Sequence, residues 1–375
     1  MHRPFSISLG YLSVGLFLAT AGSIHSQASL PAPQTQIGPA MEVLPAGNSN
    51  LPANDGAMRL NVVVTDKGGK NIPSLAESDF QLFDNNRPVQ ITSFRAFGTG
   101  TASAQPPARV IIVFDTVNMP FESVSYTREQ VAAYLRQNGG HLPYPVSLAF
   151  LTNTGMQIQS GATTDGNALA KSLESTAGNL RTIGQSAGAW GAIERFQFCV
   201  KMLATLANSI ADEAGRKLVI WAGPGWPLLD SPGIDFSLNG EKQFFSSIVL
   251  LNTMLREGQI ELSSVAQGTP GEFTYVYQSY LKGVKKPTQA MPSNLALKVI
   301  ATQSGGRVIP PSNDVATAIA SVVQDAGVYY EITFNPPPPD GPNEYHELKL
   351  KLNQPGLTAH TNTGYYGQPR PVAAP

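Results

Sequence analysis

The sequence predicts an α/β protein in which a doubly wound, mostly parallel sheet is inserted between two halves of a β-sandwich. From Arg109 onward, apolar strand patterns alternate with amphipathic helix patterns, as is typical of a parallel sheet covered by helices on both faces. Residues 58–98 and 328–367 instead contain short strand patterns separated by turns. Each flank has too few strands to bury a core by itself, so we expect the two flanks to pair with each other.

The first flank begins with MRLNVVVTD, whose alternating and β-branched residues predict a strand from Met58. Two further strands are expected on either side of Asn85 and Asn86, because adjacent asparagines between apolar runs favour a hairpin turn. Residues 99–108 contain Gly, Ser and Pro without periodicity and predict a hinge.

The central region opens with RVIIVFDT, a nearly continuous apolar strand that delivers Asp115 to its carboxyl end. The following strands are predicted in PVSLAFLT, MQIQSGAT, RKLVIWAG, QIELSSVAQ and RVIP. Helices are predicted in SVSYTREQVAAYLRQN, DGNALAKSLEST, residues 189–213, EKQFFSSIVLLNTMLREG, SNLALKVIATQSGG and DVATAIASVVQDA. Asp165 is a candidate N-cap of the second of these helices. Residues 268–294 form a long insertion with three tyrosines and a small basic cluster, predicted to be an ordered binding loop or a mobile one.

Composition indicates an exported protein that does not bind nucleic acid. The 375 residues have a net charge of −1, which argues against a nucleic-acid binder, because phosphate contacts need a basic stripe. A basic start, an apolar run and small residues near Ser26 predict a cleaved secretory signal peptide over 1–26 rather than a retained anchor, hence a secreted or periplasmic location without a membrane span. A single cysteine, Cys199, excludes an intramolecular disulfide.

These patterns divide the chain into segments with distinct compositions. The predicted boundaries are 1–26 for the signal peptide, 27–57 for a flexible linker, 58–98 for the first sandwich half, 107–327 for the α/β domain, 328–367 for the second sandwich half and 368–375 for a tail.

The strand VIIVFDT, the helix pattern YTREQVAAYL and the strand KLVIWAG resemble a von Willebrand factor A domain, which has a Rossmann-like sheet. The flanking segments, VVVTDKGGKNIPSLAESDFQLFDNNRPVQITSF and YYEITFNPPPPDGPNEYHELKLKLNQPGLTAHTNTGYYG, are similar to those of the VWFA-related proteins of acidobacteria. The resemblance covers residues 58–367 and implies an exported architecture that binds a protein partner, in an adhesion or scaffold role and without catalysis.

The resemblance also implies a metal-ion-dependent adhesion site, which in this family uses Asp-x-Ser-x-Ser after the first strand, a Thr from a second loop and an Asp from a third. Asp115 matches the first of these ligands, but the serine positions are Val117 and Met119, and Ala222 stands at the third-loop aspartate. Apolar side chains give Mg²⁺ no oxygen ligands.

A degenerate site around Asp115, Asn118 and Ser186 is therefore expected, with Ser186 near the second-loop threonine position and no bound metal or other cofactor. Asp115 is expected to accept hydrogen bonds from backbone N–H groups of the next loop. Metal-dependent adhesion through Asp115 stays open if other loops supply oxygens.

A second alternative is a secreted serine hydrolase. GQSAG matches Gly-x-Ser-x-Gly with Ser186 as the nucleophile, followed in the order of an α/β-hydrolase by Asp230 or Asp235 and by His346 or His360. Against it, the segment before Ser186 is polar, and both histidines fall in alternating strands, where we expect them at the surface.

Two loops after the predicted strand ends carry apolar residues that are candidates for partner binding. They are Met119 and Phe121 in NMPFES, and Trp226 and Leu228 in AGPGWPLLDSPGIDF. Exposed aromatic residues on loops often mark recognition sites. The alternative is that these residues cover the sheet end as local core.

Overall fold

The structure is a computed structural model of the chain that describes residue 44 and residues 56–98, 108–177, 189–229 and 238–368. The predicted signal peptide, most of the predicted linker and residues 369–375 of the predicted tail lie outside the described residues. All described residues belong to one unit, Met41–Pro375. In this part of the chain, no helix combines the length and the apolar character that crossing a membrane requires.

The described strands are β1 (Met58–Thr65), β2 (Phe80–Asp84), β3 (Arg87–Val89), β4 (Ile91–Phe97), β5 (Arg109–Asp115), β6 (His141–Thr152), β7 (Gly155–Ile158), β8 (Thr163–Asp165), β9 (Lys217–Ala222), β10 (Ile260–Val265), β11 (Tyr329–Phe334), β12 (Glu344–Leu352), β13 (Thr358–His360) and β14 (Gly364–Gly367). The α-helices are α1 (Phe121–Leu135), α2 (Gly166–Ala177), α3 (Ala189–Ile210), α4 (Leu238–Glu257), α5 (Leu297–Gln303) and α6 (Val315–Val323).

The central sheet has the strand order β10-β9-β5-β6-β7, with β8 also paired to β6. Strands β10, β9, β5 and β6 are parallel, whereas β7 and β8 run antiparallel to β6. The predicted α/β class with a mostly parallel sheet is therefore confirmed. Alternate residues of β5 point to opposite faces, so that Ile111 packs with α3 and α4, and Ile112 packs with α1, α2 and α6.

The flanks form two antiparallel sheets, each with strands from both ends of the described chain. One has the order β13-β1-β11-β4 and the other β14-β12-β2-β3. In the first, Leu60 of β1 lies opposite Ile332 of β11, and in the second, Leu350 of β12 lies opposite Leu82 of β2. Side chains of both sheets meet in one hydrophobic cluster.

The predicted hairpin turn and the predicted helix N-cap are both present in the structure. Asn85 and Asn86 join β2 to β3 with φ angles of 46° and 64°, the left-handed conformation that a two-residue hairpin turn needs. Asp165 Oδ1 accepts a hydrogen bond from the backbone N–H of Ala168 over 2.9 Å and so caps α2.

The long insertion contains 3-10 helices and packs against the flanking sheet that contains β12 and β14. The hydroxyl of Tyr366 in β14 donates a hydrogen bond to the carbonyl of Val284 over 3.0 Å, and Gly283 lies against the ring of Tyr345 in β12.

Candidate functional site

Asp115 lies at the carboxyl end of β5, between β6 and β9, and its side chain is fully buried. This edge of a parallel sheet is where ligands of α/β proteins usually bind. The position predicted from the sequence is correct, and the neighbouring atoms decide what the carboxylate can do there.

Both oxygens of Asp115 accept hydrogen bonds. Oδ1 accepts from the backbone N–H groups of Val117 at 3.0 Å and Asn118 at 3.1 Å. Oδ2 accepts from Nδ2 of Asn118 at 2.8 Å and from Nε1 of Trp221 at 2.9 Å. The carboxylate therefore holds the loop after β5 and ties that loop to β9.

Burial raises the pKa of Asp115 above its ordinary value, and the hydrogen bonds from Asn118, Trp221 and Val117 oppose that rise. The same pocket contains the thiol of Cys199, which accepts a hydrogen bond from Nδ2 of Asn118 at 3.3 Å. Burial, and after it the nearby Asp115, raises the pKa of Cys199, so the thiol is a poor nucleophile.

The other positions of the expected metal site supply no side-chain oxygen. Val117, Met119 and Ala222 are all buried apolar residues. Gly223 follows β9 with a φ of 152°, and a Cβ atom at this position would lie 2.9 Å from Cβ of Asp115. The loop after β9 thus approaches Asp115 so closely that only glycine fits.

Asn118 acts as a hydrogen-bond donor to Asp115 and not as an oxygen ligand for a metal ion. Its side-chain nitrogen donates to Asp115, and its Oδ1 is buried without a hydrogen-bond partner. Ser186 lies outside the described residues. Among the described residues, no group of three or more His, Cys, Asp or Glu side chains is placed to hold a metal ion.

The four candidates for partner binding differ in exposure. Met119 is 3% exposed and Trp226 is 4% exposed, so the expectation of a surface recognition role does not fit these two residues. Trp226 donates from Nε1 to the carbonyl of Leu295 over 2.7 Å and packs edge-to-face on Trp221. Phe121, predicted in a loop, is instead the first residue of α1 and is 69% exposed, and Leu228 is half-buried.

The residues of the hydrolase alternative are only partly described, since Ser186, Asp230 and Asp235 lie outside the described residues. The expectation that His346 is a surface residue is wrong. Its Nδ1 lies 2.9 Å from Oδ1 of Asp84, its ring stacks on Tyr365, and it is buried.

His360 is partly buried rather than a freely exposed side chain. Its Nε2 lies 3.2 Å from the hydroxyl of Thr65. Burial and the nearby Arg307 lower the pKa of His360 to about 4.

Trp221 is the member of the site that the sequence analysis missed. It is the penultimate residue of β9, in the apolar run KLVIWAG, and this pattern predicts a core residue. A buried indole N–H needs an acceptor, and a strand-end carboxylate on the adjacent strand is the nearest one available. That requirement was the signal that could have linked Trp221 to Asp115.

Comparison with protein-family models and with curated proteins gives no match. Among solved structures, the chain is similar to the human COPII-coat protein Sec24c, with 9% identity, a TM-score of 0.34, and coverage of 69% of this chain and 44% of that one. It is also similar to proximal thread matrix protein 1 from the mussel byssus, with 11% identity, a TM-score of 0.30, and coverage of 59% and 48%. A third similar structure is the pilus adhesin SpaC from Lactobacillus rhamnosus GG, with 11% identity, a TM-score of 0.32, and coverage of 77% and 48%. The chain thus spans less than half the length of each of these proteins.

Proposed function

We propose that this chain is an exported, protein-binding module of the von Willebrand factor A type, with an adhesion or scaffold role, a degenerate metal site and no catalytic activity. The hydrogen bonding of Asp115 supports the proposal most directly, because its two oxygens together accept four hydrogen bonds. The residue at the metal position of the resembled family acts here as a structural acceptor.

The coordination chemistry of Mg²⁺ supports this reading. Mg²⁺ keeps its waters unless several oxygens replace them in near-octahedral geometry. To ligate the ion, Asp115 would leave Nδ2 of Asn118 and Nε1 of Trp221 without an acceptor, and Val117 and Met119 offer no oxygen in return. The loss of these hydrogen bonds opposes metal binding.

Isothermal titration of the mature protein with Mg²⁺ and Mn²⁺ tests the metal part of the proposal. We expect no binding at micromolar concentrations and no shift of the melting temperature. Micromolar binding that is abolished in Asp115→Ala would establish metal-dependent adhesion in its place.

The protein-binding part depends on Phe121. This aromatic side chain is exposed at the start of α1, shortly after Asp115 in sequence, and an exposed aromatic residue beside a sheet edge is a common anchor for a protein partner. Retention of proteins from the extracytoplasmic fraction on immobilised wild type, Phe121→Ser and Tyr275→Ser measures its contribution. Tyr275 is 50% exposed and serves as the matched control. We expect one specific protein to be retained by the wild type and by Tyr275→Ser but not by Phe121→Ser, with the melting temperature of Phe121→Ser unchanged. Equal retention by all three would contradict a role of Phe121 in partner binding.

A fluorophosphonate probe tests the absence of hydrolase activity. His346 already pairs with Asp84 in the flanking sheet, and this supports a structural role for that histidine. We expect no labelling of the wild-type protein. Labelling that disappears in Ser186→Ala would favour the serine hydrolase.

We further infer that the two flanking sheets are the layers of one β-sandwich into which the α/β domain is inserted. Their shared hydrophobic cluster and the pairing of β1 with β11 and of β2 with β12 support this arrangement. Limited proteolysis is expected to leave segments 58–98 and 328–367 associated. Release of a stable 58–98 fragment from an intact remainder would contradict it.

A further inference from the structure

A cleft of about 470 Å³ lies at the end of the central sheet where strand β6 begins, which is the end opposite to Asp115. Its volume falls within the range of small-molecule sites in proteins. The loop after β1, the segment from the end of α1 into β6, and the end of α6 contribute its walls. The lining residues used below are Lys70, Asn71, Tyr134, Leu142, Tyr144 and Val323.

Two polar atoms in this lining are buried without a hydrogen-bond partner. They are Oη of Tyr134 and Oδ1 of Asn71, in residues that are 3% and 7% exposed. Nδ2 of Asn71 donates to Oδ1 of Asp325 over 2.9 Å, which fixes the amide orientation and leaves its Oδ1 as a free acceptor. A buried polar atom without a partner destabilises the fold, and a ligand that supplies the partner recovers part of the lost free energy.

The charges around the cleft favour an anion or a neutral molecule over a cation. Lys70 is exposed and contributes a positive charge, and no Asp or Glu is among the residues that line the cleft. Asp325 lies behind Asn71, but Arg307 forms an ion pair with it at 3.1 Å. Burial raises the pKa of Tyr134 to about 12, so its hydroxyl stays neutral at physiological pH and can donate.

The remaining walls are apolar or aromatic. Leu142 and Val323 are buried, and the ring of Tyr144 is half-buried. Flat aromatic molecules bury much area against such walls with few rotatable bonds to immobilise.

We propose that this cleft binds a small aromatic acid that carries a hydroxyl group. The ring packs between Tyr144 and the apolar wall, the hydroxyl pairs with Oη of Tyr134, and the carboxylate faces Lys70 at the mouth. Oη of Tyr134 is shielded from solvent, so binding requires the side chains around it to move.

Titration calorimetry of the full-length mature protein with 4-hydroxybenzoate tests the proposal, with benzoate and the cation tyramine as comparison ligands. We expect 4-hydroxybenzoate to bind with a Kd of about 1 mM or tighter, and benzoate to bind about 10-fold more weakly because it lacks the hydroxyl. Tyramine is expected to bind more weakly than 4-hydroxybenzoate because it is repelled by Lys70.

Three variants locate the site. Tyr134→Phe and Lys70→Gln are each expected to weaken the binding of 4-hydroxybenzoate about 5- to 10-fold. Ala320→Trp places a large ring in the cleft and is expected to abolish binding, whereas Ala133→Trp, at an exposed position of α1 outside the lining, is the control for an added indole. Melting temperatures identify any variant that fails to fold, and Lys70→Gln, at the surface, keeps the test decisive in that case.

The proposal is overturned if the wild type does not bind 4-hydroxybenzoate at millimolar concentration. It is equally overturned if folded Ala320→Trp binds as the wild type does, or if tyramine binds as tightly as the acid. None of these results depends on the partner retained through Phe121, because the cleft lies at the other end of the sheet.

Discussion

Nε1 of Trp221 donates a hydrogen bond to Oδ2 of Asp115 over 2.9 Å, and this bond joins β9 to β5 at the carboxyl edge of the central sheet. Both side chains are fully buried, so each polar group has the other in place of water. The edge that in many α/β proteins stays open for a ligand is closed here by an internal contact. The consequences of removing that contact are measurable as changes in stability.

Asp115→Ala is expected to lower the free energy of unfolding by about 2–4 kcal/mol. The substitution leaves Nδ2 of Asn118, Nε1 of Trp221 and two backbone N–H groups buried without an acceptor. Urea unfolding followed by tryptophan fluorescence measures the change, since Trp221 and Trp226 are both buried in the native state.

Asp165→Ala is the matched control, because it removes another carboxylate that accepts a backbone N–H group, but at the exposed start of α2. Loss of such a cap destabilises a protein by about 1 kcal/mol. A loss in Asp115→Ala no larger than that of the control would contradict a structural role for the buried carboxylate.

Local signals in neighbouring residues predicted most strands of the central sheet, but the predicted strand RVIP forms only an isolated bridge, between Ser264 and Val308. The continuous apolar run before Asp115 predicts β5, and the Asn85-Asn86 pair predicts the turn between β2 and β3. The burial of Trp226 could not be predicted in this way. It depends on the carbonyl of Leu295, far away in sequence, and no local pattern encodes that contact.

The burial of His346 was encoded locally and was overlooked. In YHELKLKL, the alternation that predicts β12 also places His346 on the same face as Leu348 and Leu350. That face packs toward the other sheet, and Leu348 belongs to the shared hydrophobic cluster. A histidine on the apolar face of a strand needs a buried partner, which is Asp84.

Glu261→Gln is expected to lower the free energy of unfolding by about 3 kcal/mol. Arg216 and Glu261 are both buried, and Nε of Arg216 donates to Oε1 of Glu261 over 2.6 Å. The guanidinium also lies 4.4 Å from the centre of the Tyr329 ring, which places the pair at the junction with β11. Removal of the Glu261 charge leaves the buried guanidinium with only Asp325, which is itself paired with Arg307, as a nearby counter-charge.

Thermal and urea unfolding measure this effect, with Glu174→Gln as the control. Glu174 pairs with Arg136 at 2.7 Å, but both side chains are about half exposed, so a change within about 0.5 kcal/mol is expected. Equal effects of the two substitutions would mean that the buried ion pair contributes no more to the free energy of unfolding than the surface pair does.

Gly283→Ala is expected to destabilise the attachment of the long insertion to β12 by about 1–3 kcal/mol. A Cβ atom at Gly283 would lie 2.0 Å from the ring of Tyr345, so the ring or the segment must move. Hydrogen exchange is expected to become faster in residues 272–295. Gly271→Ala is the control, because a Cβ atom at Gly271 would have no other atom within 4 Å. This substitution should leave hydrogen exchange unchanged. The same exchange rates in both variants would exclude a tight contact at Gly283.

Acidification is expected to destabilise the protein through His360. Burial and the charge of Arg307 hold the pKa of this imidazole at about 4, whereas the unfolded chain titrates near its ordinary value of 6.5. Between these two values the unfolded state binds the extra proton, so the stability present above about pH 6.5 is lost as the pH falls toward about 4, by about 3 kcal/mol. Urea unfolding from pH 7.5 to pH 4.5 should therefore show a shallower pH dependence in His360→Gln than in the wild type. A His360→Gln profile parallel to that of the wild type would assign the acid sensitivity to other groups.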